Sequence, residues 1–381
     1  MKRAIFTKDH DLFRESVQAF VQSEVAPNLE RYRQEGHPDR ALWLAAGAHD
    51  LLGLSVPQEL GGSAGDYRYN AILCEELANV ALALASSIGI QTDVVAPYLL
   101  DLASDELKGR CFPAFCTGEL VTAIAMTEPA AGSDLGGIQT RAVQNGDGWL
   151  LNGSKTFITN GAEADLAIVA ARTGDDRRDI TMFAVRADLP GFARGRQLEK
   201  LGQHEVDTAE LFFSDVQLTD ADVLGEVGQG FRHMLERLPQ ERLHVACVGL
   251  AHARGAVEAT IDYVKERRAF GRSIGSYQHS RFLLAELVTD LEVTQAFVDR
   301  CIEEHVAGTL SAVDAAKAKW WSTDVQNRIL DACVQLHGGY GYMSEYPVAR
   351  AWADARVTKI WGGSNEIMKE IVGRSLQLGG D

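Results

Sequence analysis

The chain has 381 residues, which is long for one hydrophobic core, so two or three domains or layers are expected. With 46% hydrophobic and 24% charged residues it has the composition of an ordinary globular protein rather than a disordered or membrane protein. Lys and Arg number 37 against 53 Asp and Glu, and the net charge of -16 argues against nucleic-acid and anionic-membrane surfaces, because both need clustered cations.

Cysteine usage and the N-terminus indicate the compartment. After the charged start at Met1–Arg3, Lys8 and Asp9 follow too soon for the apolar core of a signal peptide. No apolar run approaches the ~20 residues that span a bilayer. The cysteines lie without a C-x-x-C pair, and the histidines show no metal-ligand spacing. We therefore expect a cytoplasmic protein with no metal site, no membrane segment and six buried free thiols, at Cys74, Cys111, Cys116, Cys247, Cys301 and Cys333.

The first region, 1–118, is predicted to be helical. Apolar residues recur at helical spacing behind Thr7 as a candidate cap, and a second helix is expected from Tyr69 to about Ala85. Glycines and a proline between 57 and 65 separate the two. The apolar positions expected on one face of the first helix are Leu12, Phe13, Val17, Phe20 and Val21.

The middle region, 119–229, is predicted to be a compact β-barrel or β-sandwich domain. Its short segments at 167–170, 180–185 and 209–213 are rich in β-formers and bounded by Gly, Asp and Asn. Asn145-Gly146, followed by Gly148, predicts a hairpin.

The last region, 230–381, returns to helical periodicity and predicts a four-helix bundle. Helical patterns run from Leu243 toward Phe270, and then over 281–305, 312–336 and 366–376. Strands and helices do not alternate along the chain, so the fold class is α+β rather than a doubly wound nucleotide fold. The Gly-rich turn after His337 ends a helix instead of following a strand, which argues against a dinucleotide fingerprint there and favours a structural role for His337.

Several loops have the donors and aromatics that a flat polar ring needs. The segment 125–134 enters a Gly/Ser loop, and 151–161 places Phe157 beside Thr159, where one could stack on a ring and the other bond its edge. Each segment alone is typical of an ordinary hairpin loop. Arg267 closes a predicted helix, where it is either a solvated end or a pyrophosphate ligand. A further helix begins at Ser364 or Asn365, with free N–H groups.

Together these segments resemble the acyl-CoA dehydrogenase family along nearly the whole chain. The resemblance is carried by Thr-Glu-Pro with Gly-Ser-Asp, Gly-Ser-Lys with Ile-Thr-Asn, Arg-Arg-Ala-Phe-Gly and Gln-Leu-His-Gly-Gly-Tyr-Gly, in this order. It implies FAD as cofactor, an acyl-CoA substrate, an electron-transferring flavoprotein as acceptor and a homo-oligomer, a tetramer built as a dimer of dimers.

The resemblance also assigns residues to the cofactor. The flavin ring would be lined by Met126, Thr127, Ser133, Phe157, Ile158 and Thr159. A neighbouring subunit's FAD would be reached by Arg267, Phe270 and Gln278. The adenosine side would be held by Gln335, Leu336, Gly338 and Gly339, and the pyrophosphate by Ser364, Asn365 and Glu366. Substrate contacts would come from Ser133, Arg242 and Gly363.

The catalytic base departs from the common family pattern. Most members have a Glu before the last Gly motif, where this chain has Gly362. A subgroup that includes the isovaleryl-CoA dehydrogenases takes its base from a Leu-x-x-Glu-Arg pattern on a bundle helix, and Glu241 of this chain occupies that position. The alternative is a surface carboxylate paired with an arginine. The resemblance thus implies that Glu241 takes the α-proton and that the Gly362 N–H polarises the thioester carbonyl.

The absent side chain at Gly362 leaves room near the reacting carbons, so we expect a short or branched acyl group. Three alternatives stay open. The first is an acyl-carrier-protein thioester in secondary metabolism, and the second is a flavin monooxygenase or oxidase on the same fold. The third is a non-catalytic binding protein, which the charge of -16 disfavours.

Overall fold

The computed structural model describes residues 3–378, which run through helices, then a sheet, then helices again. Met1 and Lys2, part of the charged N-terminal start, lie outside the described residues. This order confirms the predicted α+β fold class, with the sheet in the middle of the chain. All six cysteines are buried and free, as expected.

The N-terminal helices pack around one apolar core. The predicted first helix is confirmed, with Thr7 and His10 forming a capping box at its start. Val17, Phe20 and Val21 are buried, but Leu12, which was expected on the same face, is 52% exposed. The helices are α1 (Lys8–Phe20), α2 (Leu29–Glu35), α3 (Arg40–Ala48), α4 (Tyr67–Val80), α5 (Leu82–Gly89), α6 (Ala96–Leu102) and α7 (Asp105–Thr117).

The single helix predicted from Tyr69 to Ala85 is wrong. Ala81 has an extended backbone (φ -151°, ψ 105°) that separates α4 from α5. Helix α4 also begins earlier than predicted, because the Asp66 side chain caps it by accepting from the Arg68 N–H at 2.9 Å. The apolar pattern continues across Ala81, so periodicity alone does not reveal the interruption.

A second correction concerns apolar length. The continuous helical stretch Leu82–Leu102 joins α5, a π-helical segment (Ile90–Val95) and α6. It is long and apolar enough to cross a membrane by length and composition, contrary to the expectation above, but 89% of its most apolar window is buried inside the protein. Core helices of globular proteins share this property.

The middle strands form one mixed eight-stranded sheet in the order β6-β7-β3-β2-β4-β5-β8, with β1 parallel to β4. The predicted hairpin after Asn145 joins β2 to β3. Strands β3 and β7 shift register between Lys155 and Ile158, which marks a bulge. The strands are β1 (Thr122–Ala125), β2 (Arg141–Asn145), β3 (Gly148–Thr159), β4 (Leu166–Arg172), β5 (Ile180–Arg186), β6 (Phe192–Gln197), β7 (Thr208–Thr219) and β8 (Val223–Leu224).

The C-terminal helices are α8 (Gly230–Glu266), α9 (Gln278–Val306), α10 (Ala312–His337), α11 (Pro347–Ala355) and α12 (Asn365–Ser375). The four predicted helices are confirmed, and α11 was missed. Helix α8 ends at Glu266, and the segment after it forms a hairpin of β9 (Arg268–Ala269) and β10 (Arg272–Ser273). The first part of α8 packs against α5 and the π-helical segment, and this contact places its side chains beside the sheet domain.

Candidate active site

The site is a cavity of about 440 Å³ where the three regions of the chain meet. Its walls come from α5 and the π-helical segment, the loop after β1, the end of β3, the first part of α8 and the loop before α12. The predicted residues that it brings together are Met126, Thr127, Ser133, Phe157, Ile158, Thr159, Glu241, Arg242, Gly362 and Gly363.

Glu241 lies on α8, half-buried, with its side chain at this cavity. Burial raises the pKa of its carboxyl to about 7, although Arg242 and the hydrogen bond from Tyr98 oppose the shift. The Tyr98 hydroxyl donates to Oε1 of Glu241 at 3.4 Å. Within residues 3–378 no cation lies within ion-pairing distance of Glu241, which argues against a surface ion pair. Its carboxylate is suited to accept a proton near neutral pH.

Arg242 adds an unused donor beside Glu241. Arg242 is buried, with a relative exposure of only 5%. Burial lowers the pKa of its guanidinium. Its Nε and the indole Nε1 of Trp361 are buried without a hydrogen-bond partner in the described chain. Buried donors usually have partners, so two orphaned donors at one cavity indicate a bound molecule that supplies acceptors.

Phe157 is held in a strained conformation at the sheet end of the cavity. Its φ is +60°, in the left-handed region, and its side chain is 67% exposed. The bulge in β3 turns this residue out of the sheet. An exposed aromatic ring kept at positive φ is the kind of strain that proteins retain at ligand sites.

A buried ion pair ties the loop after β1 to strand β3. The Lys155 ammonium donates to Oε1 of Glu128 at 2.8 Å and to the carbonyl of Met126 at 3.1 Å. The Thr156 N–H donates to the carbonyl of Thr127 at 3.0 Å. These bonds fix the loop that holds Met126 and Thr127 against the strand that holds Phe157.

Lys319 holds the loop before α12 in place by two hydrogen bonds. Its ammonium donates to the carbonyl of Gly363 at 2.7 Å and to Oδ1 of Asn365 at 3.0 Å, and burial lowers its pKa to about 7. Gly362 has φ +61°, and a Cβ there would meet only Val245 Cγ2, at 3.4 Å. Space therefore remains beside Gly362, as the sequence predicted.

The start of α12 places the Asn365 side chain inside the protein. Ser364 caps the helix by accepting from the Ile367 N–H at 3.4 Å, and Glu366 is exposed. Asn365 is 2% exposed, and its side chain bonds Lys319, Thr323 and the carbonyl of Trp320. That side chain is engaged inside the protein, so only the backbone of Asn365 is available to a phosphate.

The predicted adenosine residues form a second cavity of about 460 Å³. It is lined by Gln335, Leu336, Gly338 and Gly339, together with Arg267, which was assigned to a neighbouring subunit's cofactor. A Cβ at Gly338 or Gly339 would meet nothing within 4 Å, so the turn leaves open space. His337 stacks on Tyr263 and bonds the Cys333 carbonyl at 2.8 Å, which supports its structural role.

Phe270 and Gln278 lie at neither cavity. Phe270 is 97% exposed at the tip of the β9–β10 hairpin with φ +50°, and Gln278 is exposed at the start of α9. One chain therefore presents the predicted cofactor residues in separate patches.

The residues fit FAD at the first cavity. The exposed Phe157 ring offers a stacking surface, the loop at Gly132 has open space where a Cβ would lie, and the orphaned donors of Arg242 and Trp361 await acceptors. Gly362 and Gly363 donate their N–H groups to no other described residue. The arrangement can bind a ring against one wall and hold a carboxylate base in another.

Sequence reasoning missed four side chains that shape the site: Tyr98, Lys155, Lys319 and His244. Lys155 lay inside a quoted motif, and its position on a buried strand could have identified it. Tyr98, Lys319 and His244 act through contacts between distant parts of the chain, and no local pattern marks them.

Comparisons with known proteins agree with this geometry. Three family models match the chain: the N-terminal domain of acyl-CoA dehydrogenase over residues 7–119, its middle domain over 123–216 and its C-terminal domain over 228–377. The chain is 44% identical to the long-chain specific acyl-CoA dehydrogenase of Sus scrofa, over 98% of this chain and 88% of that one. It is 32% identical to the isovaleryl-CoA dehydrogenase of Solanum tuberosum, over 98% and 91%.

Solved structures give the same result. The acyl-CoA dehydrogenase of Geobacillus kaustophilus superposes with a TM-score of 0.97 at 42% identity, covering 99% of this chain and 100% of that one. The Bacillus anthracis enzyme, solved with FAD, has a TM-score of 0.92 at 28% identity, covering 98% of this chain and 67% of that one.

Proposed function

The chain belongs to the acyl-CoA dehydrogenase family of FAD-dependent oxidoreductases that act on CH–CH groups, and we propose that Glu241 is the base of its α,β-dehydrogenation. One observation carries this proposal. The carboxylate of Glu241 lines the cavity that also holds the predicted flavin residues, and its pKa of about 7 suits proton abstraction.

The chain's residues divide the work of the reaction. Glu241 takes the proton from Cα of the acyl thioester. FAD, when bound, would supply the acceptor for the hydride from Cβ, and loss of the two hydrogens would leave a trans double bond between the two carbons. The N–H groups of the turn at Gly362 and Gly363 hydrogen-bond the thioester carbonyl, which lowers the cost of removing a weakly acidic proton. Arg242 donates from its buried guanidinium to bound substrate.

The test is anaerobic bleaching of the flavin absorbance by acyl thioesters, compared with Glu241→Gln. We expect the variant to bind FAD and substrate normally but to bleach at least ~100-fold more slowly, the usual scale for loss of a general base. Glu236→Gln, an exposed glutamate on the same helix, is the matched control and should bleach at the normal rate. Bleaching of Glu241→Gln at the normal rate would show that another group is the base.

The acyl group is proposed from two observations that point in different directions. Open space beside Gly362 supports a short or branched acyl group. The relatives at 43–44% identity are named long-chain specific, which supports a long chain as the second candidate. Bleaching rates measured with straight-chain CoA thioesters of roughly four to sixteen carbons, and with their 2-methyl forms, would distinguish a short or branched acyl group from a long one.

The carrier, the acceptor and the assembly are part of the same proposal. CoA is proposed as the carrier, and matched acyl-carrier-protein thioesters test the alternative. An electron-transferring flavoprotein is proposed as acceptor, and oxygen consumption in step with substrate would instead favour an oxidase or monooxygenase. Phe270 and Gln278, which are exposed and lie at neither cavity, support a homo-oligomer, and we propose a tetramer, which light scattering would test. A cytoplasmic location, supported by six free thiols, is testable by cell fractionation.

A further inference from the structure

The cavity wall contains an aspartate–histidine pair among apolar residues. His244 lies on α8 one turn after Glu241 and lines the same cavity, 6% exposed. Its Nδ1 is 2.6 Å from Oδ2 of Asp93, which lies in the π-helical segment and is 1% exposed. The apolar residues of this wall are Ile90, Val94, Phe231, Leu235, Leu238 and Val245.

Asp93 is built to stay charged in this position. Burial alone would raise the pKa of its carboxyl, but the bonds and charge of His244, with further hydrogen bonds, outweigh burial and lower the pKa. Asn70 donates to its Oδ1 at 2.6 Å, and Thr92 does so at 3.2 Å. The Gln240 side chain holds the Asp93 backbone carbonyl at 2.8 Å. The carboxylate is thus saturated by protein donors and fixes the His244 ring.

Helix α5 makes room for the ring. A Cβ at Gly89 would lie 2.1 Å from Cε1 of His244, so only glycine fits there. Ser86 precedes Gly89 by three residues, on the same helix face, and also lines the cavity. Its hydroxyl donates to the Leu82 carbonyl at 2.9 Å, which leaves its oxygen free to accept.

A metal ion does not explain the pair. Ligand atoms of Cys74, Asp93 and His244 lie within 4.8 Å of one another. However, burial raises the pKa of the Cys74 thiol well above its usual range, whereas metal binding needs a thiolate. The Nδ1 of His244 is also already bonded to the carboxylate. The second ring nitrogen, Nε2, has no hydrogen-bond partner in residues 3–378, and His244 is one of the residues that line the cavity.

We infer that Asp93 and His244 form a polar recognition site for the acyl chain, and that the preferred substrate is an acyl thioester with a hydroxyl group beyond Cβ. With Nδ1 committed to Asp93, Nε2 accepts a hydrogen bond when the ring is neutral and donates one when it is charged. A hydroxyl group can do either, and its oxygen or proton can also meet Ser86. A plain hydrocarbon chain would leave this nitrogen buried and unpaired, which opposes its binding.

The inference rests on the proposed function, because the ligand is the substrate of the same cavity. The experiment uses the FAD-loaded enzyme and CoA thioesters of the length that bleaches the flavin fastest, unsubstituted and with one hydroxyl at each carbon from C4 onward. We expect one hydroxylated isomer to exceed its parent by ~10-fold or more in kcat/KM, the scale of one buried hydrogen bond.

Variants locate the preference. His244→Leu should abolish the preference by slowing the hydroxylated substrate more than the parent, and Asp93→Asn, which keeps the shape of the pair, should weaken it. His49→Leu, at an exposed histidine outside the cavity, should leave the preference unchanged. If His244→Leu does not fold, the preference of the unmodified enzyme and its change in Asp93→Asn still decide whether the pair recognises the hydroxyl group.

The outcomes separate the two proposals. An enzyme that bleaches with plain acyl-CoA and shows no hydroxyl preference overturns the inference and leaves the dehydrogenase intact. A preference that survives unchanged in both His244→Leu and Asp93→Asn also overturns it. An enzyme that bleaches with no acyl thioester at all overturns the proposed function itself.

Discussion

A hydrogen bond between Tyr98 and Glu241 joins the N-terminal helices to α8, the helix that carries the proposed base. The Tyr98 hydroxyl donates to Oε1 of Glu241 at 3.4 Å from a ring that is completely buried on α6. Burial, and then the charge of Glu241, raise the pKa of this phenol well above its usual range, so it stays a donor at every working pH. The bond stabilises the charged form of the carboxylate and therefore restrains the rise in its pKa that burial causes.

The pH profile should reveal this bond. Because Glu241 must be deprotonated to accept the α-proton, the rate of flavin bleaching should rise with pH and reach half of its plateau near the pKa of about 7. Tyr98→Phe removes a donor to the charged form, so the pKa of Glu241 and the midpoint should move up by roughly half a unit. Stopped-flow measurement of the bleaching rate from about pH 5.5 to about pH 9, a range that brackets this pKa, gives the midpoint for each enzyme.

A matched control is Tyr32→Phe, at another buried tyrosine that does not line the cavity. Its midpoint should equal that of the unmodified enzyme. A downward shift in Tyr98→Phe, or equal shifts in both variants, would contradict the role given to the Tyr98 hydroxyl.

Phe157→Gly should move stability and cofactor affinity in opposite directions. The φ of +60° costs a phenylalanine about 1 kcal/mol that glycine does not incur, so the apoprotein should lose nothing or gain up to about that amount. Loss of an exposed aromatic surface of this size should raise the Kd for FAD by ~10-fold. Denaturant unfolding of the apoprotein and fluorescence titration with FAD measure the two quantities.

The comparison variant for this test is Phe270→Gly, which also removes an exposed aromatic at positive φ. It lies on the β9–β10 hairpin, away from the first cavity. Its effect on FAD affinity should appear only in the assembled oligomer. Unchanged FAD affinity in Phe157→Gly would refute a stacking role.

The order of the three regions and the choice of Glu241 as the proposed base were within reach of the sequence. Each long helix of the last region repeats its apolar pattern over many turns, and Glu241 stands out because Gly362 lacks a carboxylate. The break at Ala81 was not within reach, because the residues on both sides continue an apolar pattern in a buried stretch. Local periodicity reports burial, and tertiary contacts decide where such a helix is interrupted.

The supporting contacts of the site were also out of reach, for a related reason. Asp93 and His244 are 151 positions apart, and Lys319 lies 44 positions before the Gly363 carbonyl that it bonds. Neither pair forms a motif, and a buried charge looks like a surface charge until its surroundings are known.

Lys319→Met should loosen the turn at the thioester carbonyl. The substitution leaves the Gly363 carbonyl and the Asn365 side chain without a buried donor, which should cost about 2–4 kcal/mol of unfolding free energy. The misplaced turn should also slow bleaching more than it weakens substrate binding. Lys265→Met, at an exposed lysine, should change neither quantity. An equally stable and active Lys319→Met variant would show that the clamp is dispensable.

Gly362→Ala tests whether the space beside the reacting carbons selects branched acyl groups. An added Cβ would lie 3.4 Å from Val245 Cγ2 and touch nothing else within 4 Å, so the side chain fits the empty protein, and the φ of +61° should cost about 1 kcal/mol of stability. The methyl group would nevertheless occupy room that a branch on the acyl chain needs. We expect kcat/KM to fall by ~10-fold or more for 2-methylacyl-CoA and by much less for the straight chain of equal length.

Gly373→Ala on α12, where a Cβ meets nothing within 4 Å, is the control and should lower neither kcat/KM value. Equal losses on both substrates would assign the effect to backbone strain, and the open space would then not explain selectivity.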